Sequence, residues 1–158
     1  MRASLLPVAL VACLLPACHR GPQGLQPAST DLEIAEVFSD PCAGCREVHM
    51  PGATDLPLYL HRVDTLKHDV FEGVSCPERG PYGNQVGTLH FAASARARVE
   101  RWTNARVGKH IAVVTGGTAW SVATVNAAIS TAVPVNCDSA QHCAAMCAAL
   151  TGSSPPNR

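Results

Sequence analysis

Six cysteines downstream of residue 18 (Cys42, Cys45, Cys76, Cys137, Cys143 and Cys147) constrain this chain more than any other feature. Six is an even number, and the segment carrying them is small. An exported chain of this kind meets an oxidising compartment, where such cysteines cross-link a modest core. Spacing alone leaves the connectivity open. Cys143 and Cys147 lie four apart, on one face of an expected helix, and either of them is placed to bridge Cys137 just upstream. Cys42-Ala43-Gly44-Cys45 has the spacing of a redox motif, but Pro41 precedes it in a Pro/Gly-rich stretch rather than a strand-to-helix junction. Disulfide pairing is therefore the first reading. A thiol–disulfide oxidoreductase working through Cys42 and Cys45 is the alternative. A tetrahedral metal set of Cys42, Cys45, Cys76 and His49 is a further one.

The N-terminus supports export. Arg2 precedes an apolar run, Leu5 to Leu15, and Leu15-Pro16-Ala17-Cys18 places a small residue before a cysteine. That is a secretory signal ending like a bacterial lipobox, with Cys18 as the lipidated residue and residues 1–17 removed. Cys13 fits the same pattern but leaves a very short signal. Acyl chains would then hold the chain at a bacterial envelope membrane, facing the periplasm or the exterior. No other stretch approaches the roughly 20 apolar residues of a membrane span. Residues 18–31, rich in Gly, Pro, Gln and Ser, read as a flexible tether, 32–151 as one domain and 152–158 as a disordered tail. Twelve basic residues balance twelve acidic ones, and Arg96, Arg98, Arg101 and Arg106 are interrupted by Glu100 without interleaved aromatics, so nucleic acid is not an expected partner. Aromatics make up 4% of the chain, which leaves the core to Val, Leu, Ile and Ala.

Periodicity predicts an α+β fold. Strands are expected at 32–38, 58–60, 70–74, 86–91, 111–114, 119–125 and 131–135, the last at a sheet edge because Pro134 cannot donate to a ladder. Residues 39–55 and 77–84 read as loops. A helix is expected over 92–106, with Ala92, Ala95, Val99 and Trp102 on its buried face and Gly108 ending it. A second begins at Asp138, with Gln141 at capping-box spacing and Ala140, Cys143, Cys147 and Leu150 as its stripe. The seven histidines are scattered, and no nucleophile, base and acid occur in a catalytic pattern, so no catalytic residue and no cofactor are expected.

Val114-Thr115-Gly116-Gly117-Thr118 looks at first like the start of a nucleotide-binding loop. Such a loop needs further glycines and then a helix. Here Ala119-Trp120-Ser121-Val122-Ala123 follows, which is strand-like, so Gly116-Gly117 reads as a hairpin turn.

The same region carries a family resemblance. Thr103, Val107, Gly108 and Lys109, then Ile111-Ala112-Val113-Val114, then Gly117, then Ser121, resemble the periplasmic head of the protein-export subunit SecD. That family has Thr-x-x-x-Val-Gly-Lys at a helix end, an apolar strand, Asp-Gly, and a strand containing Ser-Ala-Pro. Gly116 stands where the family has Asp, and Val122-Ala123 where it has Ala-Pro. Weaker likeness extends over 32–150. The resemblance implies an antiparallel or mixed sheet carrying two main helices, and a non-enzymatic role in contacting an exported or envelope protein. Proton-driven translocation is not implied, because that activity depends on a membrane bundle that this sequence does not resemble.

Overall fold

The computed structural model describes residues 24–52, 57–79 and 85–153, with the side chains of 77–79 and 85 left aside. The signal segment 1–17, Cys18, Cys13, most of the tether and residues 154–158 lie outside the described residues. In chain order the elements are β1 (Glu33–Phe38), β2 (Cys45–Val48), β3 (Leu58–His61), β4 (Leu66–Lys67), β5 (Phe71–Arg79), β6 (Gln85–Phe91), α1 (Arg96–Asn104), β7 (His110–Thr115), β8 (Thr118–Thr124), β9 (Ala132–Cys137) and α2 (Ala140–Thr151). The fold is α+β. One sheet runs β2-β3-β1-β7-β8, with β4 also pairing β1; the other runs β5-β6-β9, and all these strand pairs are antiparallel.

The uninterrupted apolar run at 111–114 has a structural reason. A strand with one wet face alternates; one covered on both faces does not. Ile111 and Val113 join Ile34 in a large core shared with the second sheet and both helices, while Ala112 and Val114 join Ala35 and Val37 in a smaller core with Val48, Leu60 and Ala119. The first sheet curls around this smaller core until its edges meet: the Ala119 N–H donates to the His49 carbonyl at 3.0 Å. Arg46 closes one end by pairing with Glu33.

The segment 39–55, expected to be all loop, contains β2. Its sequence, Cys-Arg-Glu-Val, has little strand character of its own; pairing with β3 and burial of Val48 create it. The tether is also shorter at its domain end than expected. Gln26 and Val74 exchange backbone hydrogen bonds at 2.9 and 2.8 Å, and Ser29 N–H donates to Leu150. Gly73 permits this close approach, since a Cβ there would lie 2.4 Å from the Gln26 carbonyl oxygen.

Helix α1 begins at Arg96, after a short helical turn at Ala93–Ala95, rather than at residue 92; Ala95, Val99 and Trp102 are buried as the spacing predicts, and Ala92 is half-buried outside the helix. It ends at Asn104 with Ala105 as its cap, so Gly108 does not close it. Gly108, at φ 84°, instead turns the chain into β7, its N–H donating to Val125. Helix α2 is capped by Ser139, whose side chain accepts the His142 N–H at 3.1 Å. The N-cap falls one residue later than the expected Asp138, and Asp138 binds the His142 ring instead of forming a capping box with Gln141. Ala140 is exposed, and Met146 takes the place expected for it in the buried stripe beside Cys143 and Leu150. Gly152 and Ser153, read as the start of a tail, form the C-terminal cap of this helix.

Candidate binding cleft

A cleft of about 540 Å³ opens at the end of the curled sheet opposite Arg46. The pleat puts Val37, Leu58 and Val122 on the side of the smaller core, and they continue into the cleft as an apolar lining. Its rim is the turn leaving β1, with Phe38, Asp40 and Cys42 on one side, and His110 at the start of β7 on the other. His110 is held by Thr124, its Nδ1 lying 3.1 Å from the threonine hydroxyl. The cleft therefore offers a largely apolar groove edged by one carboxylate, one imidazole and a disulfide.

The structure joins all six cysteines of the domain. Cys42 pairs with Cys45 (Cα–Cα 5.3 Å), Cys76 with Cys147 (5.6 Å) and Cys137 with Cys143 (5.3 Å). The last two fasten α2 to opposite edge strands of the second sheet, β5 and β9. Only the first lies at the cleft. The metal set considered from sequence is not assembled: Cys76 is bonded to Cys147 on the second sheet, and Cys42 is bonded to Cys45 on the first. Among the described residues no group of three or more His, Cys, Asp or Glu is gathered for a metal. Cys45 opens a strand, not a helix, so its backbone does not supply the helix N-terminus that stabilises a catalytic thiolate.

The residues that carry the SecD-like pattern are not at the cleft. They form the joint from α1 through β7 to β8. Thr103 is buried and ties the helix to the segment before β9: its hydroxyl donates to the Val99 carbonyl (2.9 Å), with the Ile129 carbonyl also in reach (3.1 Å), and it accepts the Ile129 N–H (2.9 Å). Val107 is exposed. Lys109 pairs with Glu36 at 2.9 Å. Gly116 and Gly117, at φ 54° and 81°, make a two-residue turn between the paired Thr115 and Thr118; two successive positive φ values are the signature of the hairpin type that suits strand twist. Ser121 sits half-buried in β8 opposite Val113.

Arg106 is the residue that sequence reasoning missed. It is 8% exposed, stacks its guanidinium 4.0 Å from the Trp102 ring centre, and reaches Asp64 at 2.5 Å and the Trp102 carbonyl at 3.0 Å. Its Nε faces Glu36 at 3.4 Å as an ion pair without hydrogen-bond alignment. The Trp102 indole N–H donates to the Asp64 carbonyl at 2.7 Å, so the same pair fastens the turn before β4. The only local signal was Trp102 four residues earlier on a helical path; the acidic partners are 42 and 70 residues away.

None of the described helices is long and apolar enough to cross a membrane. No protein-family model and no curated protein matches the chain. Solved structures similar to it include two of SecDF. One is of SecDF, described as a membrane component that enhances protein export, with a TM-score of 0.46 and 18% identity over 54% of this chain and 40% of that one. The other is SecDF in a super-membrane-facing form, with the same TM-score and identity over 55% of this chain and 12% of that one, so the chain spans less than half the length of either.

Proposed function

We propose that this is a lipid-anchored protein of the bacterial envelope whose domain binds an exported or envelope polypeptide through the cleft, without catalysing a reaction. The observation that carries the reading is the cleft itself: an open groove lined by Val37, Leu58 and Val122, broad enough for apolar side chains of an extended chain. The SecD-like residue pattern at 103–121 and the lipobox at Cys18 support the cellular setting.

Fluorescence anisotropy with a labelled, permanently unfolded exported polypeptide tests the binding. Phe38→Asp and Leu58→Asp should each weaken it about tenfold or more, a loss of about 1.4 kcal/mol, while circular dichroism stays unchanged. Equal affinity of the variants and the parent would reject the cleft. The anchor is tested separately. Cys18→Ala should move the protein from the membrane fraction to the soluble fraction, and an unchanged distribution would reject lipidation at that residue.

A further inference from the structure

We infer that the Cys42–Cys45 disulfide is a reducible latch on the mouth of the cleft, whereas the other two disulfides are structural staples. Exposure separates the three. Cys42 and Cys45 are both half-buried, in a turn whose Asp40, Pro41, Ala43 and Gly44 are exposed. Cys76, Cys137 and Cys143 are 5%, 6% and 1% exposed and Cys147 is half-buried, so each of the other bridges has at least one buried cysteine, and the Cys137–Cys143 bridge lies wholly in the large core. A thiolate attacks a disulfide along the sulfur–sulfur axis, and a buried sulfur is shielded from that approach.

Position gives the bond a consequence. The turn 39–44 joins the end of β1 to the start of β2, and Asp40 and Cys42 line the cleft. Among the described residues its polar contacts are local: the Cys45 N–H donates to the Cys42 carbonyl (3.0 Å), and Ser39 donates to the Asp40 carboxylate (3.2 Å). The disulfide is the covalent constraint on this wall. Without it the turn regains backbone freedom, and the Cys45–His61 pairing that begins β2 loses its anchor.

The chemistry balances with a dithiol as co-reactant. One thiolate of the dithiol attacks a sulfur of the pair, forming a mixed disulfide as the Cys42–Cys45 bond breaks and the released thiolate takes a proton. The second thiol of the dithiol then displaces the other cysteine. Two electrons pass to the protein, which ends with two thiols, and the dithiol ends as a disulfide. In an envelope the reductant would be an exported dithiol protein, and the latch would open and close the groove according to its supply.

The experiment uses the folded, full domain and needs no bound polypeptide, so its outcome is separate from that of the binding assay. The protein is equilibrated with increasing dithiothreitol, quenched with iodoacetamide and peptide-mapped. Label should appear on Cys42 and Cys45 at reductant concentrations that leave Cys76, Cys137, Cys143 and Cys147 unlabelled. Label on any of those four first, or on all six together, overturns the assignment. Hydrogen exchange on the selectively reduced protein reads the second half of the claim: amides of 39–45 should exchange faster, with the second sheet unchanged. Cys42→Ser/Cys45→Ser should reproduce that pattern without reductant. Unaltered exchange at 39–45 in both would leave a reducible bond that is no latch, and so reject the proposal.

Discussion

Arg106 shows how one side chain joins parts of the chain that are far apart in sequence. Its guanidinium is held between an aromatic face and two carboxylates, with its side chain 10% exposed. Removing this largely buried guanidinium takes away the stacking on Trp102, the hydrogen bond to the Trp102 carbonyl and one of the two cations facing Glu36, which keeps Lys109. Arg106→Met should cost about 2–4 kcal/mol in urea unfolding. Arg106→Lys should recover only part of that, because an ammonium does not reproduce the planar fork or the stacking. Asp138 is a surface counterpart. The hydrogen bond from His142, 2.8 Å away, holds its carboxyl below the usual carboxylate range. A depressed folded-state value means that the stabilisation is present above the unfolded value and is lost as pH falls through the folded one. Asp138→Asn should therefore flatten the acid limb of the stability profile below about pH 4, where free carboxylates titrate. Thermal melts from pH 2 to 6 would show it. Arg106 gives no local sign of its distant acids, whereas Asp138 and His142 stand four apart, a spacing that the sequence shows but that competes with the equally local reading of Asp138 as a helix cap.

Elements set by local chemistry were legible. The Gly116-Gly117 turn was readable because both residues take positive φ, a conformation that local sequence alone selects. Gly117→Val should cost about 1–2 kcal/mol through backbone strain, since open space surrounds the position and no clash is involved. Equilibrium unfolding would measure it, with Gly117→Asn expected to be milder because asparagine tolerates the left-handed region. Pro134 likewise marked β9 as an edge strand, and β9 is an edge of the second sheet. Strand β2 and the strap at Gln26 were not readable. Both exist because a partner strand offers unpaired backbone groups to a segment with weak propensity of its own.

At the scale of the whole molecule, the disulfides decide how the second sheet and α2 stay together. The bridge between Cys76 and Cys147 spans 71 residues, and that between Cys137 and Cys143 spans 6. Loop closure in the unfolded chain scales with the logarithm of this separation, giving about 4 kcal/mol for the long bridge and about 2 kcal/mol for the short one. Cys76→Ser/Cys147→Ser should accordingly lower the guanidinium midpoint more than Cys137→Ser/Cys143→Ser. An equal or reversed order would show that strain or residual structure dominates. The sequence by itself determined the α+β class, the long strands, the hairpin and the presence of a disulfide framework, because each follows from periodicity, backbone restriction or cysteine count. Which cysteines pair, that β7 separates two cores, and that a cleft opens where the first sheet curls were decided by the tertiary structure. Those features depend on contacts between residues tens of positions apart, which no local pattern encodes.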